Sequence, residues 1–275
     1  MTKIPEVDRG PHASASFWCM PYQDLLLDTD SDVARLTLNR PNQLNAMSAN
    51  MLAELIKAAG DIAASQARAV VISGSGRSFC AGVDLEVLNA VAGATDTETR
   101  RAAFMLGSKM ADAIESIPQP TVVALHGHVV GGGLVLASAC DLRLATEDAV
   151  FSIPEIDLGI SLGWGGIERL VREIGAARAR EFVMTGRPFS AHEALLSRFV
   201  NRVVPSDDVM VAANDLAETI AAKSQFAIRA TKAHVAEIIA GDHSRDDAAT
   251  AADSMVNPES AALRAEYLAR VARRT

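Results

Sequence analysis

His126-Gly127-His128-Val129-Val130-Gly131-Gly132-Gly133-Leu134-Val135 links an apolar run at 121–125 to a helical pattern at 132–140. Pro118 and Pro120 stop the helix before it, because proline lacks the N–H that a helix interior needs, so the apolar run reads as a buried strand. Three consecutive glycines in a helical first turn cost about 0.5–1 kcal/mol each relative to alanine. A sequence that keeps them either packs another group closely against that backbone or holds a ligand there. The free N–H groups of a first turn, reinforced by the helix dipole, offer a place for a developing negative oxygen.

Strand, glycine turn and helix in direct succession are one beat of an alternation that runs through the chain. Residues 33–39 read as a strand, 48–65 as a helix and 69–73 as a buried strand; a helix spans 98–117, and strand-like runs return at 142–145 and 199–204. Such alternation with short connections indicates an α/β domain whose strands are covered by helices. After Pro205 the pattern is helical, with 207–223, 225–240 and 259–273 the clearest segments. The chain thus divides into three parts. Residues 1–20 show no periodicity and read as a flexible leader, 21–205 form the α/β core, and 206–275 form a helical region that would cover the site or pack on a neighbouring subunit.

With 275 residues, 49% of them hydrophobic, the chain can bury a substantial core, which excludes a disordered or fibrous protein. A formal net charge of −8 argues against a nucleic-acid partner, since phosphate binding needs clustered Lys and Arg. Cys19, Cys80 and Cys140 have no CxxC spacing and are odd in number, which points away from a disulfide framework or a zinc site and toward a reducing cytoplasm. No apolar run approaches the roughly 18–20 residues of a membrane span, and the first twenty residues carry Pro5, Asp8 and Pro11 instead of an apolar signal core. A cytoplasmic protein without a membrane partner is expected.

Gly74-Ser75-Gly76-Arg77-Ser78-Phe79-Cys80-Ala81-Gly82-Val83-Asp84 follows the strand at 69–73. It opens like a dinucleotide fingerprint, but Phe79 stands where the third glycine is required and no apolar helix is expected to start at once. A turn ending in Ala81-Gly82-Val83 brings bare backbone near a ligand instead, because Gly82 has no Cβ to hold it away. One N–H from near Val83 and another from near Gly132 would form an oxyanion hole, usually the largest single catalytic contribution. By itself the stretch is equally a simple tight turn. Asp84 suits capping or orienting the loop, and Cys80 suits a small buried residue, since no base partner for a nucleophile is evident.

Phe151-Ser152-Ile153-Pro154-Glu155-Ile156-Asp157-Leu158-Gly159-Ile160, followed by Gly163-Trp164-Gly165-Gly166, sets Glu155 in an apolar, proline-constrained segment. Burial disfavours the charged form of a carboxylate, which tunes it for proton transfer near neutrality, although a lone glutamate taken by itself is more often a solvated loop residue. Asp157 would raise one of the two pKa values if the side chains approach, and His128 could supply a second proton-transfer group.

The order LNRPNQLNAM, SFCAGVDL, HGHVVGGGLVLASACDLRLA, FSIPEIDLGI with GGIERL, then EFVMTGRPFSAHEAL resembles the crotonase (enoyl-CoA hydratase/isomerase) superfamily over residues 24–205. The resemblance implies a crotonase-like spiral of ββα units whose C-terminal helices mediate a homotrimer, often doubled to a homohexamer. It implies an acyl-CoA thioester substrate, with coenzyme A part of that substrate and no separate cofactor or metal. It places the N–H groups of Val83 and Gly132 on the thioester carbonyl and makes Glu155 the proton-transfer group. Asn45, Ala46, Met47 and Ala81 would lie near the CoA nucleotide, and Val83, Asp84, Leu85 and Glu86 along the pantetheine and acyl path.

One departure separates activities within that family. Its hydratases hold water between two glutamates, one just after the glycines and one in the Pro-Glu position. Here Val135 stands at the first, facing the substrate by the same resemblance, and Glu155 alone is retained. That pattern is similar to the mitochondrial-type Δ3,Δ2-enoyl-CoA isomerases and favours a double-bond isomerase or a related lyase. The alternatives are a hydratase that holds water with Glu155 and another group, and a non-catalytic acyl-CoA-binding protein.

Overall fold

The computed structural model describes residues 22–273, so the leader expected at 1–20 lies outside the described residues. The chain runs through β1 (Leu25–Asp28), β2 (Val33–Leu38), α1 (Ala49–Ala64), β3 (Ala69–Gly74), α2 (Leu85–Gly93) and α3 (Thr97–Glu115). Next come β4 (Thr121–Leu125), β5 (His128–Val130), α4 (Gly132–Ser138), β6 (Leu142–Thr146) and β7 (Val150–Ser152). A tight helical turn, Pro154–Leu158, leads to α5 (Gly166–Thr185), β8 (Phe189–Ser190), α6 (Ala191–Leu196) and β9 (Arg202–Val204). The chain closes with α7 (Val209–Ala221), α8 (Gln225–Ile239), α9 (Asp247–Val256) and α10 (Pro258–Ala272).

The elements form where the local chemistry directs them. Ser48 caps α1 by accepting from the N–H of Met51 at 3.0 Å, and Met51, Leu52, Leu55, Ala58, Ala59 and Ile62 then bury one helical stripe. The strands order as β1-β2-β3-β4-β6-β9, parallel except for the antiparallel β1–β2 pair. Parallel strands with both faces covered need continuous apolar runs, and Thr121–Leu125 is buried throughout. A second sheet has the order β5-β7-β8. Because β4 pairs with β6 while β5 pairs with β7, the strand–strand–helix unit recurs one step along both sheets, which is the turn of a spiral.

The period of two along each strand divides the core. Ala34, Leu36, Val70, Ile72, Val123 and Ala145 face the cluster that includes α1, α3 and α4, whereas Val33, Ala69, Val71, Val122 and Leu144 face Val209, Ala213 and Ala217 of α7. This corrects the division of the chain at residue 206: α7 is the cover of the sheet's second face and belongs to the core. The projecting helical region therefore starts near α8. It is tied back by Lys232, whose Nζ donates to Asp141 at 2.6 Å, and by the Arg68–Glu259 pair.

A second correction concerns α2, which starts directly after Asp84 although no apolar helix was expected there. Its N-terminus is capped by the Asp84 carboxylate, which accepts from Glu86 at 3.1 Å, but none of its residues is buried, so its periodicity carries no strong core signal. The strand expected at 199–204 is shortened to β9 because the N–H groups of Phe199 and Val200 both donate to the carbonyl of Ala194 in α6, at 2.9 and 3.2 Å. Among the described residues, no helix is long and apolar enough to cross a membrane.

Candidate active site

Two backbone segments meet beside β5. The N–H of Cys80 donates to the carbonyl of His128, and the N–H of Val130 donates to the carbonyl of Cys80, each at 3.0 Å. Further on, the N–H of Met47 donates to Gly82 at 2.8 Å and its carbonyl accepts from Asp84 at 3.0 Å. In such a parallel bridge the intervening residue, Val83, directs its own N–H to the opposite side. At the head of α4, Gly131 spends its N–H on Ser152 at 3.0 Å, and its carbonyl accepts from Val135 at 3.0 Å. Among the described residues, the N–H groups of Val83 and Gly132 meet no acceptor, and both residues line one cavity.

That cavity has a volume of about 220 Å³ and its walls are almost wholly apolar: Leu88 and Val91 of α2, Ala103 and Phe104 of α3, Val135 of α4, and Trp164. Glu155 is the one ionisable side chain among its described lining residues. Pro154 starts the helical turn that presents it, since proline at a first helical position loses no hydrogen bond. Its Oε2 is buried without a hydrogen-bond partner, and burial holds its pKa above the ordinary glutamate value, offset in part by its own backbone N–H. A carboxylate so placed can take up and return a proton near neutrality.

The three glycines have three separate reasons. Gly131 adopts φ 47°, ψ −112°, a backbone conformation that side chains oppose, and a Cβ there would overlap Oε1 of Glu155. A Cβ on Gly132 would overlap the six-membered ring of Trp164, and one on Gly133 would stand 2.6 Å from Cβ of Cys80. Close packing therefore accounts for the glycines at 132 and 133. The case for an oxyanion hole rests on the two unpartnered N–H groups. Gly82 adopts φ 97°, a region that side chains oppose, and a Cβ there would also lie 3.3 Å from the carbonyl oxygen of Val130 in β5.

The structure brings Ala81, Val83, Leu85, Gly132, Val135 and Glu155 together on the cavity. Other expected ligand residues sit differently. Asn45 is fully buried and knits two loops, accepting from the Arg40 N–H and donating to the carbonyls of Ser75 and Ser78, each at 2.8 Å. Met47 is a core side chain, and the carbonyl of Ala46 accepts from Arg40, so neither Asn45 nor Met47 has a free side chain for a nucleotide. Asp84 is engaged as cap and as the 2.8 Å partner of Arg40; the Glu86 N–H and then Arg40 hold its carboxyl below the usual range. Glu86 is exposed and outside the cavity wall.

His128 and Asp157 are exposed and also outside the wall, so neither stands with Glu155. Cys80 is buried, and burial pushes its thiol up to about 12, which removes it as a nucleophile near neutrality. The wall residues to which the sequence did not point include Leu88 and Val91 of α2 and Ala103 and Phe104 of α3, whose apolar positions show a weak helical stripe, and Trp164. A large aromatic among three glycines was the signal for the latter.

A family model described as enoyl-CoA hydratase/isomerase matches residues 28–262. A short-chain-enoyl-CoA hydratase of Clostridium acetobutylicum is 34% identical over 215 residues, covering 78% of this chain and 81% of that one. A mitochondrial Delta(3,5)-Delta(2,4)-dienoyl-CoA isomerase of Rattus norvegicus is 37% identical over 225 residues, covering 78% and 68%. The crystal structure of an enoyl-CoA hydratase from Mycobacterium smegmatis superposes with a TM-score of 0.79 at 32% identity, covering 90% of this chain and 97% of that one. The spiral, the cavity and these matches agree, and the chain belongs to the enoyl-CoA hydratase/isomerase family.

Proposed function

We propose that the chain moves a double bond within an enoyl-CoA thioester, with Glu155 as the sole proton carrier. The observation that carries this reading is the wall itself: one carboxylate, Glu155, and at 135 a buried valine whose Cγ2 would lie 2.8 Å from any Cβ on Gly166. Glu155 takes a proton from the second acyl carbon of a 3-enoyl-CoA. The charge moves to the thioester oxygen, where the N–H groups of Val83 and Gly132 hold it as a dienolate. Glu155 then returns the proton to the fourth carbon and is again a carboxylate. This chemistry asks for no cofactor beyond the coenzyme A that the substrate carries. Hydration would need a positioned water as well, and an isopropyl group cannot hold one.

On the unmodified protein, kcat/KM for isomerising a 3-enoyl-CoA should exceed that for hydrating a 2-enoyl-CoA of the same length by about 10²-fold, the low end of what one acid–base group contributes. Efficient hydration with no detectable isomerisation would overturn the reading. The second reading, a hydratase, is favoured by the 34% identity to the Clostridium enzyme. An acyl-CoA-binding protein without turnover would bind substrate yet exchange no α-proton.

The projecting helices support a trimer or hexamer. Tyr267, Leu268 and Val271 of α10 and Met255 and Val256 of α9 are exposed, with Val256 at 79%. Light scattering at micromolar concentration should therefore give a mass of at least three chains; a monomer mass contradicts this. Cys80 and Cys140 are free buried thiols, which fits the proposed cytoplasmic location.

A further inference from the structure

We propose that Trp164 is a positioning and specificity residue of this site: its indole fixes the direction of the Gly132 N–H and limits the width of the acyl group beside the thioester carbonyl. The inference rests on the enoyl-CoA reading above. Trp164 borders the same cavity as Gly132 and Glu155. Its six-membered ring fills the space that a Cβ on Gly132 would need, while Cδ2, Cε2 and Nε1 fill the corresponding space beside Gly107 of α3. The indole is thus a wedge between two helices, one of which begins with the proposed oxyanion donor.

The wedge is held at a cost. Trp164 has φ 59°, the left-handed region that a bulky residue rarely enters, and such backbone strain persists only where the surroundings over-determine it. Arg169 is that surrounding. It is 6% exposed, and its Nη1 donates to the Trp164 carbonyl at 3.2 Å. Its Nη2 donates to Asp112 at 2.8 Å and to Glu115 at 2.6 Å, both on α3. A plain core aromatic needs neither a strained backbone nor a cavity face. Because Gly132 would hold the thioester oxygen, the ring against it stands within reach of the first acyl carbons. A flat wall there admits a planar, unbranched enoyl group and excludes branches next to the carbonyl.

The test compares Trp164→Ala and Trp164→Phe with wild type on straight-chain 3-enoyl-CoA and on analogues methylated at the second or third acyl carbon. For Trp164→Ala, kcat on the straight chain should fall about tenfold or more with a smaller change in KM, and the branched-to-straight ratio of kcat/KM should rise about tenfold. Trp164→Phe should recover most of kcat. The chain has two tryptophans, so Trp18→Phe leaves Trp164 as the sole indole, and its emission should change saturably on titration with a straight-chain 2-enoyl-CoA. A folded Trp164→Ala enzyme with kcat and branching ratio within about twofold of wild type overturns the proposal. If that variant does not fold, a silent indole in an active Trp18→Phe enzyme overturns it equally. A wild type that converts no acyl-CoA sinks the functional reading and this inference with it; an active wild type with an indifferent Trp164 sinks this inference alone.

Discussion

Glu155→Gln should lower kcat by about 10²–10⁴-fold on any acyl-CoA that the wild type converts, while KM stays within about threefold. Glutamine keeps the shape of the side chain but cannot accept a proton as a carboxylate does, so binding survives and the chemical step does not. The pH dependence follows from the same burial. Desolvation raises the Glu155 pKa, and the base form is the ionised one. In wild type, kcat/KM should therefore fall as pH drops through that raised value, and the residual activity of the variant should lack this limb. The stability sign is opposite. A carboxylate whose folded pKa lies above its unfolded value stabilises the fold below the unfolded pKa, and that contribution is lost as pH rises through the folded pKa. Glu155→Gln should thus melt at the same or a higher temperature than wild type at pH above the raised pKa, with the gap closing as pH falls below it. Near wild-type kcat in the variant would remove Glu155 from the mechanism.

Gly132→Val should cost about 10²–10³ in kcat, the loss seen when one oxyanion donor is removed. The cause is not a side chain crowding the thioester oxygen, since a Cβ at 132 points into the six-membered ring of Trp164. Either the indole moves or the first turn of α4 shifts, and both redirect the N–H. Gly133→Ala is the internal comparison. Its Cβ meets Cβ of Cys80 at 2.6 Å, so overpacking should destabilise the fold by about 1–3 kcal/mol with a much smaller effect on kcat. Thermal melts beside steady-state kinetics separate the two outcomes. A normally folded Gly132→Val enzyme with full activity would refute this placement of the hole.

Local chemistry carried much of the fold. Thr121–Leu125 is a strand on its own residues, a run of five apolar or β-branched side chains after two prolines, and α1 is legible from its serine cap and apolar stripe. Glu155 was legible for a related reason, since a carboxylate in an apolar segment after proline stands out along the chain. The two glycine segments likewise named where bare backbone could face a ligand. These signals are periodicity and composition over a few residues, and they do not require knowing what lies across the fold.

The tertiary structure decided what each of those residues faces. Asn45 and Met47 stand in a motif expected to lie along the ligand, yet the fold turns their side chains into loop-tying and core roles. His128 and Asp157 are close in sequence to the site residues but lie outside the cavity wall. The glycines at 132 and 133 are explained by Trp164 and Cys80, distant in sequence and within contact in space. α7 looked like the start of an appendage until its alanines were seen to pack on Val71 and Val122. The physical reason is common to all four: burial and the direction of a side chain are properties of pairs of segments, and a single segment's pattern determines only that it has a face to bury, not which partner buries it.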